Sequence, residues 1–384
     1  MMRNRFALLT LTGMLAMAAL LLVTIVPAAA QTSTAPAKAT AKSYTPPRMA
    51  DGHPDLQGTY DLATLTPVER PASVKTAVFT KEEAAKAEAT AAQTRARQDQ
   101  AVSGDRPAPP KGGDGSVGAA GNVGGYNGGW LDPGSKYTMV DGQIRTSIVI
   151  DPPDGRVPPT VNGRGGRGGG GRGAAGGGRA ARPAGLTSDA AESTDPGLET
   201  APGAYDDPER RPLGERCLLG FGSTSGPPAL PDYFYNNLHQ IVQTKDSVMI
   251  LTEMVHDVRI VRMNAEHLPK NIRQWLGDSV GHWEGDTLVV DTTNFSDKTR
   301  FRGSSPDLHV IERFTRVDAN TLLYRFTIDD PATWAKPWTG EYTWPATTGH
   351  IYEYACHEAN YALEDILRGA RLREKEAAAA KGTK

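Results

Sequence analysis

Cysteine is scarce in this chain of 384 residues, where Cys217 and Cys356 are the only two. Several motifs are also missing. No histidine pair has a zinc-like spacing such as HxxxH, so spacing does not support a metal site. The glycine-rich tract has no GxxxxGK[ST], and residues 220–226 lack the G-x-S-x-G frame, so nucleotide binding and a serine nucleophile elbow are unsupported. The sequence therefore predicts no cofactor and no metal.

The N-terminus has the three parts of a secretory signal peptide. Arg3 and Arg5 precede an uncharged apolar run from Phe6 to Val26, and alanines at 28–30 form a small-residue exit. The alternative is a membrane anchor, since such a run nearly spans a bilayer. The alanine exit and the Ala/Pro-rich sequence after it favour cleavage. Residues 1–30 are therefore predicted to be a signal peptide, and the protein to be periplasmic or secreted.

The mature chain that this predicts has little net charge. Removing residues 1–30 removes two arginines and no acid, which leaves 40 basic against 44 acidic residues, a net charge of −4. This balance favours neither nucleic acid nor a membrane surface as a partner. No cysteine follows the apolar run and no second run of that length occurs, so neither a lipoprotein anchor nor stable membrane insertion after cleavage is expected. The oligomeric state is left open.

The two cysteines are predicted to form a disulfide. In an oxidising compartment an isolated pair most simply does so, here joining the segment before the predicted sheet to its last strand. The alternative is a thiol nucleophile beside His357. Export makes a persistent free thiol improbable, and adjacent residues on a strand point to opposite faces, so the disulfide is preferred.

Composition divides the mature chain into a leader, one globular unit and an insertion. Eleven of the sixteen residues at 163–178 are glycine, interleaved with arginine, and cannot bury enough apolar surface to order themselves. Binding of RNA by this tract is the alternative, and export disfavours it. The predicted segments are a flexible leader at 31–50, an extended segment with a helix and the first strand at 51–160, a disordered insertion at 161–205, a β-meander domain at 206–373 forming one unit with 51–160, and a flexible tail at 374–384.

The region from Asn236 to Glu358 consists of short β-branched and aromatic runs separated by turn residues. It predicts a mainly β fold, an antiparallel meander forming a barrel or a strongly curved sheet with a few peripheral helices. A capping box at Thr80–Glu83 predicts a helix to about Gln100, and residues 145–150 predict a strand. Ser247–Val255 is apolar on both faces, so helices and the N-terminal segment are expected to cover the outside. The last predicted strand is His350–Glu358.

Several motifs resemble those of a family of exported bacterial proteins with no established function. They are GHPDLQG (52–58), ATLTPVERP (63–71), IDPPDGRVPP (150–159), ERC (215–217), GHWEGDTLVVDTTNF (281–295) and YEYACHEANY (352–361). The resemblance covers most of the mature chain except the glycine-arginine tract, and it implies no catalytic residue. The meander is also loosely similar to calycin-type ligand barrels such as lipocalins, which is an architectural analogy only.

Acidic residues on apolar strand faces are the candidate acid–base groups. A buried carboxylate is either paired or lines a cavity, because an unpaired buried charge is costly. Such acids occur at Glu253, Glu312 and Glu353, with possible partners at Arg259, Arg313 and Arg325. The candidate catalytic residues are Glu312, Glu353 and His357. The alternative is a salt-bridged network without catalytic function.

Aromatic residues are concentrated at the end of the predicted sheet, where five of the six tryptophans fall between Trp275 and Trp344. Aromatic side chains suit ligand cavities and also ordinary barrel cores. The candidate ligand-binding residues are Trp283, Arg313, Tyr324, Arg325, Phe326, Trp344 and Tyr354. Three functions stay open: binding of a small apolar or amphipathic molecule is first, an extracytoplasmic hydrolase or isomerase second, and a structural or envelope-interaction module third.

Overall fold

The computed structural model describes residues 44–98, 132–161, 203–220, 226–231, 235–299 and 301–382. The predicted signal peptide and most of the predicted leader lie outside the described residues. So do residues 162–202 of the predicted insertion.

The described residues form thirteen strands and two α-helices. The strands are β1 (Gly58–Asp61), β2 (Val78–Phe79), β3 (Met139–Val140), β4 (Gln143–Arg145), β5 (Val149–Asp151), β6 (Leu238–Gln243), β7 (Ser247–Thr252), β8 (Val258–Met263), β9 (Asp278–Glu284), β10 (Thr287–Thr293), β11 (His309–Asp318), β12 (Thr321–Asp329) and β13 (Trp338–Thr347). The helices are α1 (Lys81–Gln98) and α2 (Tyr361–Gly382). Residues 374–382, which were predicted to belong to a flexible tail, are therefore part of helix α2.

Nine strands, β1 and β6 to β13, form a closed barrel. Each strand from β6 to β13 pairs with its neighbour in sequence, and β1 lies between β6 and β13, so that Thr59 faces both Gln240 and Thr347. The β8–β9 pair is parallel and the other barrel pairs are antiparallel. Strand β5 pairs with the start of β13, at Thr339 and Gly340, whereas β1 pairs with its end. Strands β2, β4 and β3 form a small separate sheet. The predicted mainly β barrel is confirmed.

Side chains alternate between the inside and the outside of the barrel, as the two-residue period of a strand requires. On β12, Leu322, Tyr324, Phe326 and Ile328 are buried, while the residues between them are half-buried or exposed. The inner side chains pack as aromatic pairs; for example, the Tyr324 and Trp344 rings lie 4.6 Å apart. The interior is therefore a packed aromatic core.

Cover on the outside of the barrel is uneven. Over β13, Thr343 donates its backbone N–H to the Thr138 hydroxyl (2.8 Å), and the buried Glu341 accepts hydrogen bonds from Arg145 and Arg325. The N-terminal segment thus covers this wall, as expected. Over β6 to β8 the expected cover is missing within the described residues: outward-facing apolar side chains remain exposed there, namely Val242, Val258 and Ile260.

The capping box predicted for α1 is present. The backbone N–H of Glu83 donates to the Thr80 hydroxyl (3.1 Å), and the Thr80 N–H donates to the Glu83 carboxylate (2.8 Å). The helix begins at Lys81, as this motif predicts. In the described parts of the chain, neither helix has the length and apolar character needed to cross a bilayer.

Two predicted strands are wrong. Residues 350–356 form no strand, and His357–Ala359 is a short 3₁₀ turn. The place beside β13 is already taken by β1, so the barrel closes without them. Residues 145–150 are not one strand, because Arg145 pairs in the small sheet whereas Val149 pairs with β13.

The predicted disulfide between Cys217 and Cys356 is present, with 5.7 Å between the two Cα atoms. It joins residues 139 positions apart in the sequence and fixes the segment before β6 beside the start of α2. Asn360 supports the same junction, since its side-chain amide donates to the Glu215 carbonyl (2.7 Å).

Candidate functional site

Glu312, the first predicted catalytic acid, lies inside the barrel and is fully buried. Arg259 donates to both of its carboxylate oxygens, one of them at 2.9 Å, and the Tyr324 hydroxyl donates to Oε1 at 2.8 Å. Glu312 is thus a paired interior charge, and Arg259 is its partner, as the sequence suggested. Burial, reinforced by the negative charge of Glu312, raises the pKa of Tyr324 well above its ordinary value.

The other two predicted catalytic residues lie elsewhere. Glu353 and His357 are exposed in the segment after β13. The structure therefore does not place Glu312, Glu353 and His357 in one pocket. Glu253 is buried beside that segment and accepts the backbone N–H groups of Leu238 and Tyr352.

The predicted ligand-binding residues lie in several separate places. Tyr324, Phe326 and Trp344 belong to the aromatic core. Of the other four, Trp283 packs against this core and stacks on His53, and Tyr354 is buried in a second, smaller cluster where it stacks on Tyr235. Arg313 pairs with Glu284, and Arg325 pairs with Glu341. The seven side chains therefore do not line a common cavity.

The segment Gly226–Pro231 fills the space beside the interior tyrosines. Its residues are buried except Leu230, which is half-buried. The N–H of Ala229 donates to the Tyr324 hydroxyl (2.9 Å), and the Tyr342 hydroxyl donates to the Ala229 carbonyl (3.0 Å). We call the interior around Tyr324 and Tyr342 the barrel chamber.

Four titratable side chains, none of them a predicted site residue, meet on the outer face of the barrel. We call them the outer-wall cluster, which comprises His267, Asp278, Asp291 and His309. Asp278 begins β9, Asp291 is on β10 and His309 begins β11, three neighbouring strands. Val290 and Val310 point inward, so Asp291 and His309 beside them point outward. His267 comes from the loop between β8 and β9.

The cluster is a continuous chain of contacts. Asp291 Oδ1 lies 3.1 Å from Nε2 of His267 and 2.9 Å from Nε2 of His309. The other ring nitrogen of His267, Nδ1, lies 3.1 Å from Asp278 Oδ2. His267 therefore bridges the carboxylates of Asp291 and Asp278 through its two ring nitrogens.

Asp278 anchors this chain to the protein. It is almost fully buried, and it accepts the Leu268 N–H (2.7 Å) and an Arg262 guanidinium N–H (2.8 Å) in addition to the contact with His267. Burial opposes its ionisation, but these three hydrogen bonds outweigh burial and hold the pKa of Asp278 below its ordinary value. Asp278 therefore stays charged and holds His267 in place.

The pair of Asp291 and His309 titrates differently. The hydrogen bond from His309 to Asp291, with the charges of Asp291 and Asp329, outweighs burial and raises the pKa of His309 above 6.5. Burial raises the pKa of Asp291, but the hydrogen bonds and charges of His309 and His267 lower it by more than burial raises it. The pKa of Asp291 is therefore below its ordinary value. The carboxylate of Asp291 therefore favours the protonated form of His309.

His309 has one ring nitrogen free for chemistry. Its Nε2 is bonded to Asp291, its Nδ1 makes no hydrogen bond to any described residue, and its side chain is 33% exposed. An imidazole oriented by a carboxylate through one nitrogen, with the other facing solvent, is the arrangement of a general acid–base group. Within the described residues, no group of three or more His, Cys, Asp and Glu is arranged to hold a metal ion.

A cavity of about 470 Å³ lies elsewhere, between α2 and residues 203–206. Its lining includes Tyr205, Asp206, Arg373 and Glu374, and none of the predicted site residues. The outer-wall cluster does not line it either.

Comparisons with protein-family models, curated proteins and solved structures return no match to this chain. The resemblance to exported bacterial proteins therefore stays a prediction. The candidate site rests on the geometry of the chain itself.

Sequence reasoning considered His309 only as a possible metal ligand and did not consider Asp291. The alternation of β10 and β11 could have placed both on the outer face. Their contact depends on the register between these strands, and the connection from 294 to 308 is too long to fix a register as a tight turn does. His267, on a loop, gave no periodic signal.

Proposed function

We propose that this protein is an exported acid–base catalyst whose active group is His309 on the outer wall of the barrel. The observation that carries the proposal is the shared Asp291 Oδ1, which holds both His267 and His309 through Nε2 and leaves His309 Nδ1 unbonded among the described residues. Proton transfer by such a group is common to the hydrolase and isomerase classes considered for the sequence.

Each member of the cluster has a distinct role in this proposal. His309 accepts or donates the proton at Nδ1 and touches the substrate. Asp291 orients the ring and stabilises the imidazolium that forms when the proton is accepted. His267 and Asp278 are positioning residues, because they hold Asp291 rather than the substrate. Export is supported by the N-terminal sequence and by the disulfide.

The test is a set of simple probe reactions run with the mature protein, residues 31–384, and with His309→Gln. Hydrolysis of p-nitrophenyl acetate, p-nitrophenyl butyrate and p-nitrophenyl β-glucoside tests the hydrolase class, and hydrogen–deuterium exchange next to the carbonyl of cyclohexanone tests the isomerase class. We expect at least one rate to fall about 100-fold in His309→Gln, the usual contribution of a general acid–base group.

The matched control is His357→Gln, an exposed histidine outside the cluster that should leave the rate unchanged. If His309 is the base, the rate rises with pH, and its midpoint lies above 6.5 because Asp291 favours the protonated ring. A wild-type protein no faster than buffer on every probe, or a full rate in His309→Gln, would contradict the proposal.

Ligand binding inside the barrel is the second candidate. Two buried interior atoms favour it: His239 Nε2 and Trp344 Nε1 have no hydrogen-bond partner among the residues that the structure describes, and their rings lie 5.4 Å apart. Burial, the largest effect, lowers the pKa of His239 to about 4, so this ring is neutral inside the barrel. Native mass spectrometry of the mature protein tests this candidate. Retention of a small molecule that leaves on denaturation would support it, and a bare protein mass would count against it.

A further inference from the structure

The barrel chamber already holds a short stretch of the chain, Gly226–Pro231. Three of its six residues are proline, which has no backbone N–H and cannot donate to a strand ladder. The segment belongs to no strand, so its polar backbone groups need other partners inside the barrel.

The chamber supplies those partners at Ala229 through two tyrosines. The Tyr324 hydrogen is committed to Glu312, which leaves the Tyr324 oxygen to accept the Ala229 N–H. Tyr342 donates its own hydrogen to the Ala229 carbonyl. The chamber therefore presents one acceptor, the Tyr324 oxygen, and one donor, the Tyr342 hydroxyl, to the backbone of Ala229. Glu312 holds the Tyr324 hydroxyl in place and is itself held by Arg259.

The surroundings of these hydrogen bonds are apolar and tight. Ala229 is 3% exposed and belongs to the same core cluster as Phe326 and Trp338. Proline-containing peptides commonly bind to aromatic-lined grooves in which a few side chains fix the backbone. A small side chain is required at the position of Ala229, because its surroundings are already filled.

From this arrangement we infer that the barrel chamber is a binding site for proline-containing peptides, occupied in this structure by the protein's own Gly226–Pro231 segment. The recognised feature is a backbone N–H and C=O pair on a small residue that follows proline. This site is separate from the outer-wall cluster and goes beyond the proposed function.

The experiment exchanges the resident segment for a peptide in solution. Protease sites are placed within residues 221–225 and 232–234 of the mature chain, and cleavage at both frees a short peptide that contains residues 226–231. The two remaining parts of the chain stay joined by the Cys217–Cys356 disulfide and by the pairing of β1 with β6 and β13. The probe is synthetic N-acetyl-Gly-Pro-Pro-Ala-Leu-Pro-amide, and its binding is measured by titration calorimetry.

We expect the cut protein to bind this probe with a saturable one-to-one stoichiometry. A probe with N-methylalanine lacks the N–H that Tyr324 accepts, and should bind about tenfold more weakly, the effect of one hydrogen bond. Tyr342→Phe removes the donor to the carbonyl and should weaken the unmodified probe similarly. Tyr352→Phe, at an exposed tyrosine, is the matched control and should change nothing.

Two results would overturn the inference. If the cut protein loses its near-ultraviolet circular dichroism when the resident peptide leaves, the segment is a part of the core that nothing replaces. If the folded cut protein does not bind the probe, or binds the N-methylated probe equally well, the chamber does not recognise a peptide backbone.

Discussion

Glu312 and Asp291 lie on neighbouring strands one position apart, and they face opposite sides of the barrel wall. Their partners differ in a way that separates their roles. Glu312 is fully buried and pairs with the guanidinium of Arg259 inside the barrel. Asp291 pairs with His309, and this hydrogen bond raises the pKa of His309 above its ordinary value. The partner of Glu312 is buried, whereas the partner of Asp291, the imidazole of His309, is partly exposed to solvent.

Replacing Glu312 with Gln should destabilise the barrel strongly, because Arg259 then keeps a buried charge without its counter-charge. We expect a loss of about 3–5 kcal/mol in the free energy of unfolding, measured by urea denaturation with tryptophan fluorescence. The double variant Arg259→Met with Glu312→Leu removes both charges and should recover much of the loss. A Glu312→Gln protein as stable as wild type would contradict the assignment.

His309→Gln should change the pH dependence of stability. The folded-state pKa of His309 is raised above 6.5, so the contribution of the protonated ring is fully present below pH 6.5 and is lost as pH rises through the folded value. The loss of stability in His309→Gln should therefore be larger at pH 5.5 than at pH 8.5. We expect a difference below about 1 kcal/mol, since solvent screens a partly exposed pair. Urea denaturation at both pH values measures it, and His357→Gln should show no such change; a pH-independent effect of His309→Gln would count against the pairing.

At the scale of the elements, the packing of β12 against β13 depends on a glycine opposite an aromatic ring. Gly340 pairs with Phe326 across the two strands. A Cβ added at Gly340 would lie 2.7 Å from Phe326 Cε1 and 3.1 Å from Ile148 Cγ2, both in the core. Phe326 therefore occupies the volume that a side chain at Gly340 would need.

Gly340→Ala should cost about 1–3 kcal/mol, the usual penalty of forcing extra atoms into a packed core. The matched control is Gly369→Ala on α2, where an added Cβ meets no atom within 4 Å. Alanine there should stabilise the helix by up to about 1 kcal/mol. Thermal denaturation should thus shift in opposite directions for the two variants, and a shift in the same direction would show that the Phe326 contact is unimportant.

At the scale of the whole molecule, the chain is closed by contacts between residues far apart in sequence. Strand β1 closes the barrel by pairing with β13. The Cys217–Cys356 disulfide joins the segment before β6 to the start of α2. The disulfide alone persists when the chain unfolds, and it removes conformational freedom from the unfolded chain because it holds a long loop shut.

Removing the disulfide with Cys217→Ser and Cys356→Ser together should lower stability by about 4–5 kcal/mol, since the closed loop is long. Guanidinium denaturation measures this, and reduced wild-type protein should match the double variant. Equal midpoints for oxidised wild type and the double variant would show that the cross-link does not constrain the unfolded chain.

The sequence by itself determined the local features. Residue alternation between Asn236 and Glu358 predicted an antiparallel meander of short strands, because side-chain period and turn residues act over short distances. Thr80 and Glu83 predicted the start of α1, and the two cysteines predicted the disulfide. Only the tertiary structure decided that β1, rather than residues 350–358, closes the barrel, since both have strand-like sequences and one place was open. It also decided that His267 and His309 both contact Asp291. This arrangement depends on the position of the loop that carries His267 and on the register between β10 and β11, which no tight turn fixes.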